Sequence, residues 1–164
     1  MRPDHVSIVR STWALATPNA ESIGLGFYAR LFELDPALRM LFPLDVRAQT
    51  TKLMQTLGVA IASLDRLETL TPALELLGRR HVGYGVHDTH YETVGRALLD
   101  TLAATFGGAF TDDVRLAWTE TYTALAGVMR RAASEAIAER RDAEQRATTH
   151  RLRSMLTAAD AAVA

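Results

Sequence analysis

The apolar residues of this chain recur at intervals of three and four positions, and this spacing constrains the fold more than any other feature. One such run is Ile23, Phe27, Leu31 and Leu34, and another is Val94, Leu98, Leu102 and Phe106. This spacing places apolar side chains on one face of an α-helix, whereas the alternating β-branched runs typical of strands do not occur. The sequence therefore predicts an all-α fold.

Breaker and capping residues divide the chain into helices. Thr17-Pro18 ends a first helix over about residues 4–16, and Asn19 is the expected N-cap of a second helix. Asp35-Pro36 ends that helix and begins a short one, which leads to a bend at Leu41-Phe42-Pro43. Further helices are predicted over about 46–64, from Thr71-Pro72 to His81-Val82, from the capping-box pattern Thr89-His90-Tyr91-Glu92 to Gly107-Gly108, and from Thr111 onward.

A change of composition near Arg130 divides the 164 residues into a domain over 1–133 and an extension over 134–164. The extension is charged and rich in alanine, which favours helix. Its apolar residues come late, at Leu152, Met155, Leu156, Ala159 and Val163. We expect a helical extension, either solvated or paired with another helix.

Composition narrows the classes of function. A net charge of −1 and a pI of about 6.5 argue against nucleic acid as the main partner. No apolar run is long enough to span a membrane and no signal peptide is evident, so we expect a cytoplasmic protein. The sequence contains no cysteine, which excludes disulfides, thiolate metal sites and covalently attached c-type haem.

His81 is the most informative of the five histidines. It ends a predicted helix whose inner face carries Leu74 and Leu77, and an imidazole among apolar groups suits a haem iron. A single histidine at a helix end is more often a cap or a surface residue. No functional role follows from Tyr28, Gln49 or Phe42 taken singly, because each is equally explained as an ordinary packing or solvated residue.

Several segments together resemble the globin superfamily. The carrying segments are Phe27-Tyr28-Ala29-Arg30-Leu31-Phe32, Asp35-Pro36 through Leu41-Phe42-Pro43, Lys52-Leu53-Met54, Leu77-Gly78-Arg79-Arg80-His81 and His90-Tyr91-Glu92-Thr93-Val94-Gly95. They resemble single-domain bacterial haemoglobins and the globin modules of flavohaemoglobins, with the thermostable globins of methanotrophs and neuroglobin close in pattern. The 32 positions between Gln49 and His81 equal the usual distance between the distal and proximal residues of such globins. The resemblance covers roughly residues 4–133.

The resemblance implies a three-over-three helical sandwich that holds a non-covalent haem b. His81 would be the proximal ligand of the haem iron, Gln49 the distal residue, and Tyr28 a second polar group in the distal pocket. Phe42 would wedge against the porphyrin, and Lys52 would reach a propionate. The other residues that the resemblance places around the haem are Leu53, Leu77, Val86, Tyr91, Val94 and Leu98.

The implied ligands are O₂, CO and NO at a pentacoordinate iron, because no distal histidine is present to close the sixth position. O₂ in a haem pocket carries partial negative charge, so each donor from Tyr28 and Gln49 would add roughly 1.5 to 3 kcal/mol of charge-assisted hydrogen bonding. CO would gain less. We therefore expect a pocket that favours O₂.

The sequence departs from the family pattern on the proximal side. In flavohaemoglobins a tyrosine and a glutamate support the proximal histidine; Tyr91 matches the tyrosine, but Ala133 stands at the glutamate position and Glu135 is two residues away. Loss of that carboxylate weakens any peroxidase-like tendency. The chain also lacks a G-x-G-x-x-G pattern and a reductase module, so turnover would depend on an external reductase.

Three functions remain open from the sequence. The first is oxygen binding for transport or storage, and the second is nitric oxide detoxification by a dioxygenase that an external reductase serves. The third is a haem-based gas sensor or interaction module that forms a homodimer through the C-terminal helix. His87, Asp88 and His90 are a weaker alternative as a metal site, since a solvated loop explains them equally well.

Overall fold

A computed structural model describes residues 2–42 and 45–163, with side chains described as far as residue 155. It contains six α-helices: α1 Pro3–Ala16, α2 Ala20–Leu34, α3 Val46–Ala62, α4 Leu67–Gly83, α5 Asp88–Phe106 and α6 Asp112–Val163. Short 3₁₀ turns join several of them, and the described residues include no strand. The all-α prediction is confirmed. Pro43, which we placed in the bend, lies outside the described residues, as do the side chains of Leu156, Ala159 and Val163.

Aspartate caps begin two of the elements. The Asp35 carboxylate accepts a hydrogen bond from the Ala37 N–H at 3.0 Å, as the Asp35-Pro36 pattern predicted. Asp45 accepts from the N–H groups of Arg47 and Ala48 at 3.0 and 3.1 Å and begins α3. Asn19 is the N-cap of α2, as expected, although its side chain makes no capping hydrogen bond.

The start of α4 differs from the prediction. The helix begins at Leu67, and Pro72, which we expected near its first turn, lies inside it. Leu64 is 3% exposed and Leu67 packs against the same core, so burial of these two leucines stabilises an earlier first turn. The Thr71 hydroxyl donates to the Leu67 carbonyl at 3.2 Å. Tertiary packing therefore outweighs the local proline signal.

The start of α5 also differs from the prediction, because its N-cap lies two residues earlier. The helix begins at Asp88 with His87 as its N-cap, rather than with the box that begins at Thr89. The His87 N–H donates to Nδ1 of His90 at 3.0 Å. His87 and His90 thus cap this helix, a role that the sequence pattern assigned to Thr89 and Glu92.

The helices pack around one core, which positions the cavity described below. α2 lies against α3 and α5, α4 lies along α6, and α1 also packs on α6. Two glycines permit close contacts between helices. A Cβ atom at Gly24 would lie 2.4 Å from Cγ2 of Thr50, and one at Gly78 would lie 2.2 Å from the Met129 carbonyl oxygen. The helices therefore approach each other at distances that larger residues would prevent.

α6 runs without a break through the predicted boundary at residue 133. Beyond that point Arg79 of α4 binds the Glu139 carboxylate with two hydrogen bonds, at 2.7 and 3.0 Å, and lies 3.8 Å from Glu135. Residues 138–155 are exposed along their whole length. The helical extension is confirmed, while the division at residue 133 stays a prediction. Among the described residues, no helix is both long and apolar enough to cross a membrane.

Candidate functional site

An apolar cavity of about 230 Å³ lies between the helices. Its walls come from α2 to α6 and from the turns that follow α2 and α4. Eight residues named from the sequence line it: Phe42, Leu53, Leu77, His81, Val86, Tyr91, Val94 and Leu98. A cavity with this apolar lining suits an apolar ligand.

His81 presents an imidazole to this cavity in a defined orientation. Its Nδ1 atom lies 2.7 Å from the carbonyl oxygen of Leu77, one turn earlier in α4. Because a carbonyl can only accept, Nδ1 carries a proton, and in the neutral ring Nε2 then holds the lone pair. The ring stacks on Tyr91, with centroids 6.2 Å apart and an angle of 27° between the planes. His81 is therefore held in the tautomer that can bind a metal through Nε2.

The donor set limits the metal site that His81 could form. No group of three or more histidine, cysteine, aspartate or glutamate side chains in the described part of the chain is placed to hold a metal ion. A metal on His81 would thus need ligands that the protein does not supply, and a porphyrin provides four. One oriented imidazole in an apolar cavity fits haem.

The alternative site at His87, Asp88 and His90 is wrong by the same criterion. Its groups have other partners in the structure. His90 accepts from the His87 backbone, and the Asp88 carboxylate binds the Arg130 guanidinium, with one hydrogen bond of 2.6 Å. His90 also lines the cavity, a position that the sequence did not indicate.

Tyr28 lies behind the cavity wall rather than in it. It is 2% exposed, and its ring packs edge-on against Phe27 at 5.1 Å and Phe42 at 5.3 Å, both of which line the cavity. Burial raises the pKa of its phenol to about 12, although a side-chain hydrogen bond with Gln49 acts in the opposite direction. Tyr28 therefore stays protonated at neutral pH and can donate a hydrogen bond.

Gln49 and Lys52 also lie outside the cavity lining. Gln49 is half-buried near the start of α3 and meets Tyr28 through its side chain. Lys52 is exposed on the same helix, one position before Leu53, which does line the cavity. The structure thus brings Tyr28 and Gln49 together, and the roles of all three residues toward a ligand stay predictions.

The Tyr91 hydroxyl is buried and has no hydrogen-bond partner among the described residues. Burial, followed by the negative charge of Asp88, raises its pKa, and the positive charge of Arg130 lowers it. Ala133 offers no carboxylate to this phenol, and Glu135 lies instead on the surface near Arg79. Among the described residues, the Tyr91 hydroxyl beside His81 therefore has no carboxylate as a hydrogen-bond partner.

Residues of α6 complete the cavity, and the sequence interpretation did not assign them to it. These are Tyr122, Leu125, Ala126 and Met129. The Tyr122 hydroxyl donates to the Tyr91 carbonyl at 2.5 Å, and a Cβ atom at Gly95 would lie 2.5 Å from the Tyr122 ring. The apolar stripe of α6 was visible in the sequence, but nothing local showed that it faces the site.

The comparisons with known proteins agree on one family. The sequence model of the family described as Globin matches residues 25–129. Neuroglobin of Danio rerio is 33% identical over 138 residues, which cover 76% of this chain and 87% of that protein. Neuroglobin-2 of Oncorhynchus mykiss is 31% identical with the same coverage. A flavohemoprotein of Vibrio cholerae is 31% identical over 76% of this chain, but that match spans only 32% of its own length.

Proposed function

This chain belongs to the globin family, whose members bind haem, and on that premise we propose that it holds a non-covalent haem b through His81 and reversibly binds O₂, CO and NO. The observation that carries the proposal is the orientation of His81 in the apolar cavity, with Nδ1 held by Leu77. The absence of cysteine supports non-covalent attachment, because thioether links need cysteine. When bound, haem would supply an iron that can take the His81 imidazole and a diatomic gas as ligands.

The polar pair Tyr28 and Gln49 gives the proposed preference for O₂. The buried phenol of Tyr28 is a donor at neutral pH because its pKa lies near 12. Its hydroxyl would donate to a ligand with partial negative charge, and Gln49 would hold that hydroxyl or donate through its own amide N–H. Since bound CO carries less charge than bound O₂, hydrogen bonds from these donors would stabilise it less. These two residues therefore favour an oxygen-binding protein for storage or transport.

Absorption spectra of the purified protein test the haem assignment. We expect a Soret band that shifts on reduction with dithionite and shifts again with CO. His81→Ala should lose or strongly alter this band, whereas His150→Ala, on the exposed part of α6, should leave it unchanged. An unaltered Soret band in His81→Ala would exclude His81 as the ligand.

A second candidate function is nitric oxide dioxygenation, in which NO and O₂ combine to give nitrate. The similarity to flavohemoproteins favours it, together with the two polar residues near the pocket. Each turnover needs one electron, which a separate reductase would supply. Stopped-flow mixing of the oxygenated protein with NO, followed by a cellular reductase and NADH, tests this function. If nitrate forms once and the ferrous state does not return, the enzyme proposal is wrong and oxygen binding remains.

A further inference from the structure

Two tyrosine rings lie beside the imidazole of His81, and the fold holds them differently. The Tyr84 ring lies 6.1 Å from it, centroid to centroid, at an angle of 56°, and the Tyr91 ring lies 6.2 Å from it at 27°. Tyr84 follows α4 directly and is 62% exposed, whereas Tyr91 belongs to α5 and is 7% exposed. Of the two rings, Tyr91 is therefore the one that relates the orientation of His81 to another helix.

The position of Tyr91 depends on its backbone more than on its side-chain oxygen. Its hydroxyl is buried without a hydrogen-bond partner among the described residues. Its carbonyl accepts a hydrogen bond from the Tyr122 hydroxyl of α6 at 2.5 Å. Tyr91 lies in the first turn of α5, which begins at Asp88, so this bond joins that turn to α6. The ring that meets His81 thus projects from a turn that Tyr122 holds.

Tyr122 itself has little room to move, because its ring lies directly on the backbone of α5. A Cβ atom at Gly95, one turn after Tyr91, would lie 2.5 Å from Cε1 of that ring and 2.9 Å from Cδ1. Glycine at this position permits a contact that a larger residue would prevent. Burial raises the pKa of the Tyr122 phenol, so the hydroxyl keeps its proton at neutral pH. The donor to the Tyr91 carbonyl is therefore present under ordinary conditions.

On the basis of the proposed function, in which His81 binds the haem iron, we propose that Tyr122 is a positioning residue for His81 and acts through Tyr91. Its hydroxyl holds the first turn of α5, and the Tyr91 ring on that turn limits rotation of the imidazole about the Cβ–Cγ bond. Such rotation would take Nδ1 away from the Leu77 carbonyl oxygen, which lies 2.7 Å from it. The same restraint therefore preserves the Nδ1 hydrogen bond that orients a histidine ligand.

The Tyr122→Phe variant keeps the ring and removes the hydroxyl that binds the Tyr91 carbonyl. In the CO-bound ferrous protein, which is diamagnetic, NMR follows exchange of the His81 Nδ1 proton with water. We expect this exchange to be about fivefold faster or more in Tyr122→Phe, because local opening governs exchange of a hydrogen-bonded proton. The matched control is Thr101→Val, which removes a buried hydroxyl that donates to the Ala97 carbonyl of α5 at 2.7 Å, and it should leave the rate unchanged.

Variants at Tyr91 separate positioning from a general loss of stability. In a Tyr91→Phe background the ring remains, so the added Tyr122→Phe should still speed exchange by about fivefold. In a Tyr91→Ala background no ring from this position reaches the imidazole, and the added Tyr122→Phe should have no further effect. An equal acceleration in the Tyr91→Ala background would indicate a general loosening of α5 and would overturn the proposal.

Gly95→Ala reaches Tyr122 from the other helix and leaves its hydroxyl intact. The new methyl group would displace the Tyr122 ring, so exchange of the His81 proton should again be faster. The control is Gly26→Ala, whose Cβ would come no closer than 3.8 Å to a neighbour. Soret spectra of all variants show whether haem is bound. A normal Soret band with unchanged exchange in Tyr122→Phe or Gly95→Ala would overturn the positioning role alone, whereas a wild type without a Soret band would overturn the proposed function as well.

Discussion

The imidazole Nδ1 of His81 lies 2.7 Å from the Leu77 carbonyl oxygen, so the backbone of α4 itself fixes which ring nitrogen donates a hydrogen bond. His81→Gly removes the ring but keeps the cavity. We expect this variant to lose its Soret band and to recover much of it when free imidazole is added, because the added ring can occupy the same space. Titration with imidazole, followed by absorbance, measures the recovery. If wild-type haem content persists in His81→Gly without imidazole, another residue is the ligand.

The Tyr28 hydroxyl is the donor whose loss should affect O₂ most. If its hydrogen bond is worth about 1.4 kcal/mol, Tyr28→Phe should speed O₂ dissociation by about tenfold. CO dissociation should change much less. Flash photolysis and stopped-flow exchange of O₂ for CO measure both rates. Tyr84→Phe, at an exposed tyrosine, is the matched control and should leave both rates unchanged.

The crossing of α4 and α6 depends on Gly78. In Gly78→Ala the new methyl group would overlap the Met129 carbonyl oxygen, 2.2 Å away, and the two helices would have to separate. We expect a loss of about 1–3 kcal/mol in the free energy of unfolding, the usual cost of overpacking. Urea unfolding measures it. Gly83→Ala, in the same helix but with nothing within 4 Å of the new Cβ, should change stability by less than half as much.

Buried phenols make the fold sensitive to alkali. Burial raises the pKa of Tyr28 to about 12 and that of Tyr122 still further, so both stay protonated in the folded chain. Between pH 10 and 12 the unfolded chain has released these protons while the folded chain keeps them. The free energy of unfolding therefore falls as pH rises through this window. Urea unfolding at several pH values should show a steeper fall for the wild type than for Tyr28→Phe; equal slopes would contradict the assignment.

The sequence predicted the helices well where the signals are local. The Asp35-Pro36 cap and the stop at Gly107, whose φ is +53°, depend on residues within one turn. The start of α4 was predicted wrongly because the prediction relied on Pro72, which is a local signal for the first turn of a helix. Leu64 and Leu67 are buried by residues distant in the chain, and no local pattern reports that contact.

The site was predictable to the extent that the family resemblance supplied positions. His81 and its apolar neighbours line one cavity as that resemblance implied. Tyr122 was missed because the hydrogen bond to the Tyr91 carbonyl joins residues 31 positions apart. The position of Tyr28 behind Phe27 and Phe42 was equally hidden, since it depends on how aromatic rings from separate segments stack.

The unbroken course of α6 from the cavity wall into solvent has a geometric consequence. Because no turn interrupts the helix, the direction in which each described side chain beyond Met129 points is set by the number of residues before it. One alanine inserted after Ala133 would rotate the remainder by about 100° and advance it by only about 1.5 Å. Glu139 would then turn away from Arg79, while the cavity kept its walls. The number of residues in α6 therefore determines which way the side chains of its exposed part point.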